Sequence, residues 1–250
     1  DPNWYFAKTL QISRVQDGFD ERQQKLNYFV NNVRSADVFI MGNSRMTYVR
    51  IDKIVPSSYN IAFNAMKVWE MPGYIKVIKA INRKAISHII IGLSFYDTYE
   101  SDFTLPKNPS SYIDNISGIL SIIKANFSVK AMSKSLFSIY CTFSNKYNGM
   151  YIRDNSGHPY KEMITLNASN DICGVIAQGK ASYKKDLNIR TCVYKSNIEY
   201  FRAIKKLAPC AEFSVVIVPV SKYYIDVEVE SGLWNNYERL IDEILEVFGE

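Results

Sequence analysis

A chain of 250 residues, 47% hydrophobic and 22% charged, is long enough to bury one large core or two small ones, and its composition excludes a disordered class. The net charge of +5 is small for this length. Basic residues are scattered, with Lys184-Lys185 and Lys205-Lys206 as mere pairs, so nucleic acid is not an expected partner.

No apolar run approaches the roughly 18 residues of a bilayer span. The chain opens at Asp1 without a Met, so the lack of a leader says nothing about compartment. Cys141, Cys173, Cys192 and Cys210 show no C-x-x-C spacing and give little support for zinc. Cys173 and Cys192 flank a polar segment and suit a disulfide in an oxidising compartment; four reduced thiols are the alternative. The 18 tyrosines fit a carbohydrate-facing surface or a partly buried core.

Residues 1–20 form a lead-in with Trp4, Tyr5 and Phe6. Residues 21–33 read as a helix, with Leu26, Phe29, Val30 and Val33 at spacings of three and four. Residues 38–41 are a short apolar run that predicts a buried strand, stopped by Gly42-Asn43-Ser44. Gly and Asn tolerate tight-turn backbone angles, so Ser44 stands where a strand ends and a helix begins. In an α/β sheet that is the edge where ligands bind. A serine there can use free N–H groups to quieten an oxyanion, or can act only as a helix cap.

Ile51, Ile54 and Val55 suggest a short helix ended by Pro56. Residues 59–63 form a second strand ending at Asn64-Ala65, and residues 69–82 a helix with Pro72 in its first turn. Residues 88–93, apolar throughout, form a third strand, as expected for a parallel strand covered on both faces. Ser94-Phe95-Tyr96-Asp97 lies at its carboxyl end.

Beyond residue 98 the rhythm breaks. Residues 112–125 and 129–143 read as helices, whereas 144–191 are polar and lack a period. The stretch of about 98–191 is taken as an insertion, either over the carboxyl edge of the sheet or as a solvated excursion. A helix over 194–207, a fourth strand over 212–220 and an amphipathic helix over 233–248 follow. The alternation of Glu228 and Glu230 with valines suggests a solvated strand or loop rather than a paired-carboxylate site. The expected fold is α/β: a doubly wound, mostly parallel sheet flanked by helices, with an insertion between its third and fourth strands.

Four strand ends thus converge: Gly42-Asn43-Ser44, Asn64-Ala65, residues 94–97 and residues 219–223. The segment over 37–97, and more loosely 212–248, resembles the SGNH/GDSL-type hydrolase superfamily. The likeness is to its extracytoplasmic branch, related to bacterial polysaccharide O-acetyltransferases. The resemblance implies a single three-layer domain and makes Ser44 the nucleophile. Gly42, Asn64, Ala65 and Ser94 fall at the oxyanion positions, with Asn64-Ala65 where the family usually has Gly. Arg45 and Asp97 fall at substrate-binding positions, Arg45 being equally open to a structural salt bridge. No metal and no cofactor are implied.

The family draws base and orienter from an Asp-x-x-His motif near the C-terminus, and residues 1–250 lack it. Either it follows Glu250, in a chain truncated before its last strand, or the chain is a non-catalytic relative. Only two histidines exist. His88 starts the third strand, at the amino edge, and is structural; His158, with Asp154 close by, is a base candidate or simply solvated. No phosphate-binding glycine loop and no compact metal motif appears.

The expected function is therefore a serine esterase or O-acyltransferase acting on acyl groups, chiefly acetyl, of a cell-surface polysaccharide. The partner is a glycan or acylated small molecule. An extracytoplasmic location with a membrane anchor upstream of Asp1 comes from the resemblance alone. The alternatives are a non-catalytic module of the same fold binding glycan or a membrane partner, and a flavodoxin-like domain whose Ser44 caps a helix.

Overall fold

Val38–Gly42 (β1) is the strand around which the sheet is arranged. It pairs in parallel with Ser58–Asn60 (β2) on one side and with His88–Leu93 (β3) on the other. A computed structural model of the protein describes residues 21–98, 109, 111, 129–144, 152–153, 159–160, 172–189 and 196–249. The features expected at Trp4, Tyr5 and Phe6, at residues 112–125, at His158 and at Cys192 lie outside the described residues.

The other strands are two-residue Ile152–Arg153 (β4) and Pro159–Tyr160 (β5), which form a separate antiparallel pair, and Glu212–Ile217 (β6). The main sheet is all-parallel with order β2-β1-β3-β6. Val38 faces both Ser58 and His88, and His88 faces Glu212, so the strands start level and their carboxyl ends share one edge. The strand order reverses between β1 and β3, and there an open α/β sheet leaves a crevice for ligands.

The described helices are Glu21–Tyr28 (α1), Met71–Ile81 (α2), Val129–Ser144 (α3), Ile172–Ile189 (α4), Ile198–Leu207 (α5), Lys222–Glu230 (α6) and Trp234–Phe248 (α7). Alternation along each strand sorts the core into two clusters. Phe39 and Met41 of β1 and Ile89, Ile91 and Leu93 of β3 join Leu26, Ile75, Ile78, Phe201, Ile204, Leu240 and Ile244 from α1, α2, α5 and α7. Ile40, on the opposite face, packs with Met46, Ile51, Ala62 and Val218, residues of turns and strand ends. An α/β fold with a four-stranded parallel sheet flanked by helices is the result.

The second strand ends at Asn60 and the fourth at Ile217, short of the expected 63 and 220, and two further elements depart from the sequence expectation. Within the stretch that lacks a period stands α4, whose stability comes from its neighbour α6: Lys180 and Lys184 pair with Asp226 and Glu230, and Tyr183 stacks edge-on against Tyr224. The valine–glutamate alternation over 227–230 is helical, not a strand or loop. Its useful period is the three-to-four spacing of Tyr224, Val227 and Glu228, while Val229 stays exposed. Tertiary packing overrides the β-propensity of the valines here.

At the end of β1, Gly42 has a φ of 146°, and a Cβ built there would stand 2.5 Å from the Gly92 carbonyl oxygen and 2.7 Å from Met46 Cγ. The sheet can bend into the Ser44 turn only without that side chain. Gly42→Ala is expected to destabilise the fold by roughly 3 kcal/mol, from backbone strain and the clash together, measured by urea unfolding.

Candidate functional site

The loop after β1 is built by side chains that bond its backbone. Asn43, only 6% exposed, accepts the N–H of Arg45 on its Oδ1 at 3.0 Å. Thr47 Oγ1 donates to the Ser44 carbonyl at 2.5 Å. From β2, Asn60 Nδ2 donates to the carbonyls of Met46 and Val49 at 2.8 and 3.0 Å, and its Oδ1 accepts the Ala62 N–H at 2.9 Å. One asparagine thereby joins the turn after β1 to the end of β2.

Across the switch point the join is tighter. Asn43 Nδ2 donates to Asp97 Oδ2 at 2.6 Å and to Ser94 Oγ at 3.0 Å. The same Asp97 oxygen accepts the Ser94 N–H and the Ser94 hydroxyl, both at 2.8 Å. Asp97 is 1% exposed, and burial raises its carboxyl above the ordinary range against the pull of Ser94, the Lys67 charge and Asn43. Both protons of Ser94 are therefore directed at Asp97, and Asp97 serves as the hub of the two loops.

Ser44, by contrast, is exposed, and so is Ala65. Ala65 has a φ of 54°, the left-handed conformation that favours glycine, at the position where the resemblance calls for one. Among the described residues no acceptor engages the N–H of Ser44 or of Ala65. The other expected oxyanion donors are engaged: the Asn64 N–H donates to Glu21 Oε2 at 2.9 Å and the Gly42 N–H to Met66 Sδ at 3.2 Å. The 64–67 loop is held from below by Glu70, which accepts the Lys67 N–H at 2.8 Å and a forked pair from Arg22.

These strand ends open into one cleft of about 530 Å³, a size suited to a sugar or drug-sized ligand. Ser44, Arg45, Asn64, Ala65, Ser94 and Asp97 all line it. The opposite wall comes from α4, α6 and α7, the part that sequence reasoning missed: Tyr183, Tyr224, Glu228, Trp234 and Tyr237. Trp234 and Tyr237 stack with ring centroids 5.2 Å apart, and Phe95 meets Tyr237 edge-on. Glu228 is 4% exposed and accepts the Tyr183 hydroxyl; burial raises its carboxyl, while Tyr183 and the Arg45 charge act to lower it. The tyrosine richness was the one sequence signal for this wall.

His88 sits at the far edge of the sheet, bonded through Nε2 to Ser214 Oγ at 2.8 Å. Among the described residues no cluster of His, Cys, Asp or Glu has the makings of a metal site. Cys210 is exposed and unpaired.

Compared with known proteins, the chain matches no family model, no curated protein and no solved structure.

Two predictions follow from the geometry of the cleft. Glycine relieves the left-handed strain at residue 65, so Ala65→Gly is expected to raise unfolding free energy or leave it unchanged, by up to about 1 kcal/mol in urea titration. The second concerns pH. Because burial raises the Asp97, Glu70 and Glu228 carboxyls, the folded chain holds protons that the unfolded chain has released, and stability falls as pH rises from the ordinary carboxylate range through the raised values. Asp97→Asn is expected to flatten this slope, measured by unfolding at a series of pH values.

Proposed function

We propose that the protein is an SGNH-like serine esterase or O-acyltransferase that removes or transfers acyl groups, chiefly acetyl, on a cell-surface polysaccharide. One observation carries this most strongly. Ser44 is exposed at the carboxyl end of β1, in the crevice where strand order reverses, and lines the same cleft as Ala65; no acceptor among the described residues claims the N–H of either. Such unclaimed donors at a strand end are what an acyl-transfer site needs for the developing oxyanion.

In this mechanism the Ser44 hydroxyl attacks the acyl carbonyl, and its proton passes to a base. The N–H groups of Ser44 and Ala65 hold the oxyanion. Gly42, Asn43, Ser94 and Asp97 shape the turn rather than touch the substrate. Collapse of the tetrahedral adduct expels the sugar hydroxyl, which takes back the proton and leaves an acyl-serine. Water, or a hydroxyl of an acceptor sugar, then gives its proton to the base and attacks the acyl carbonyl; the bond to Ser44 Oγ breaks, and the base returns the proton to the serine. The resemblance assigns the base to the histidine of an Asp-x-x-His motif, which residues 1–250 lack; His158 is the candidate among them. Arg45 and Glu228, facing the same cleft, supply one charge of each sign for polar groups of a glycan, and the Trp234–Tyr237 stack offers a flat apolar wall.

A second proposal is a non-catalytic glycan-binding module, favoured by that aromatic wall, which works without any serine. A fluorophosphonate probe on the purified protein separates the two. Catalysis predicts a covalent adduct on Ser44 that disappears in Ser44→Ala; an unlabelled but folded protein supports the binding module.

A further inference from the structure

Helix α3 turns its apolar side outward. Val129, Leu136 and Phe143 are 86%, 65% and 77% exposed, and Met132, Phe137 and Tyr140 beside them are exposed as well. Their spacing of three, four and seven sets most of them in a stripe along one side of a helix roughly 24 Å long. A helix of a globular domain normally buries such a stripe against the core.

Charge narrows the choice of what covers it. The helix sequence contains Lys130 and Lys134, one turn apart, and no Asp or Glu. The whole chain carries +5. A protein partner is usually met by a polar rim, whereas a helix sequence with an exposed apolar stripe and cations as its only charges matches an anionic lipid surface. No described helix is long and apolar enough to cross a membrane, so a helix of this kind lies in the headgroup plane.

We propose that α3 is a membrane-surface helix that docks the protein on an anionic bilayer, with Leu136 and Phe143 entering the acyl boundary. This surface is independent of the cleft and of the chemistry proposed there.

Sedimentation of the purified full chain with vesicles tests it. Binding to phosphatidylcholine vesicles containing about a third phosphatidylglycerol is expected to exceed binding to phosphatidylcholine alone by about 25-fold, five-fold for each lysine, and to fall as salt is raised. Leu136→Glu with Phe143→Glu is expected to reduce binding at least tenfold while the melting temperature stays within about 2 °C, as exposed positions allow. The proposal is overturned by vesicle binding that is absent or unchanged in the double variant. A melting temperature several degrees lower in that variant would mean that the chain covers the stripe itself, and a dimer dispersed by it would mean that a second copy does. Either result also overturns the proposal.

Discussion

A carboxylate shut away from water is the constraint that organises the crevice. Asp97 is 1% exposed, and an ionised carboxylate buried without partners would cost several kcal/mol. Three donors answer that cost on a single oxygen: the Ser94 N–H, the Ser94 hydroxyl and the Asn43 amide. Hydrogen bonds to a charged group are each worth about 1.5–3 kcal/mol, so the cluster can hold together only as a complete set. Because Asn43 follows β1 and Asp97 follows β3, the set also fastens the two strand ends on either side of the switch point.

The turn carrying Ser44 inherits its shape from this clamp. Asn43 uses one end of its amide for Asp97 and the other for the Arg45 N–H, so the residue between them is carried outward. Asn60 and Thr47 secure the carbonyls that follow. Polar side chains that bond the backbone hold this turn in place while Ser44 stays exposed. Ala65 contributes from β2's side in a left-handed conformation, a strain retained beside the cleft.

The central strands β1 and β3 were legible because their chemistry is local. The apolar run of β3 matches His88–Leu93 residue for residue, and the period of α7 marks its buried face through Leu240 and Ile244. Small or polar residues after each strand indicated where the ends would meet, and Ser44, Ala65 and Ser94 do line one cleft. What escaped is non-local. Nothing near Asn43 announces a bond to Asp97, 54 positions away, and Glu228 looked solvated because its valine neighbours imitate a strand. Helix α4 has no strong period of its own; its place depends on Lys180, Tyr183 and Lys184 meeting α6. Apolar patterning reveals elements that bury themselves, and is silent on polar contacts between distant segments.

A double-mutant cycle on Asn43→Ala and Asp97→Ala, read as unfolding free energy at neutral pH, bears most directly on the clamp. Two residues sharing one charged hydrogen bond in a buried cluster should couple by about 1.5–3 kcal/mol, each single variant stranding the group that the other would have relieved. Losses that add to within about 0.5 kcal/mol would mean that the two side chains act independently, and that the Ser44 turn owes its form to something else.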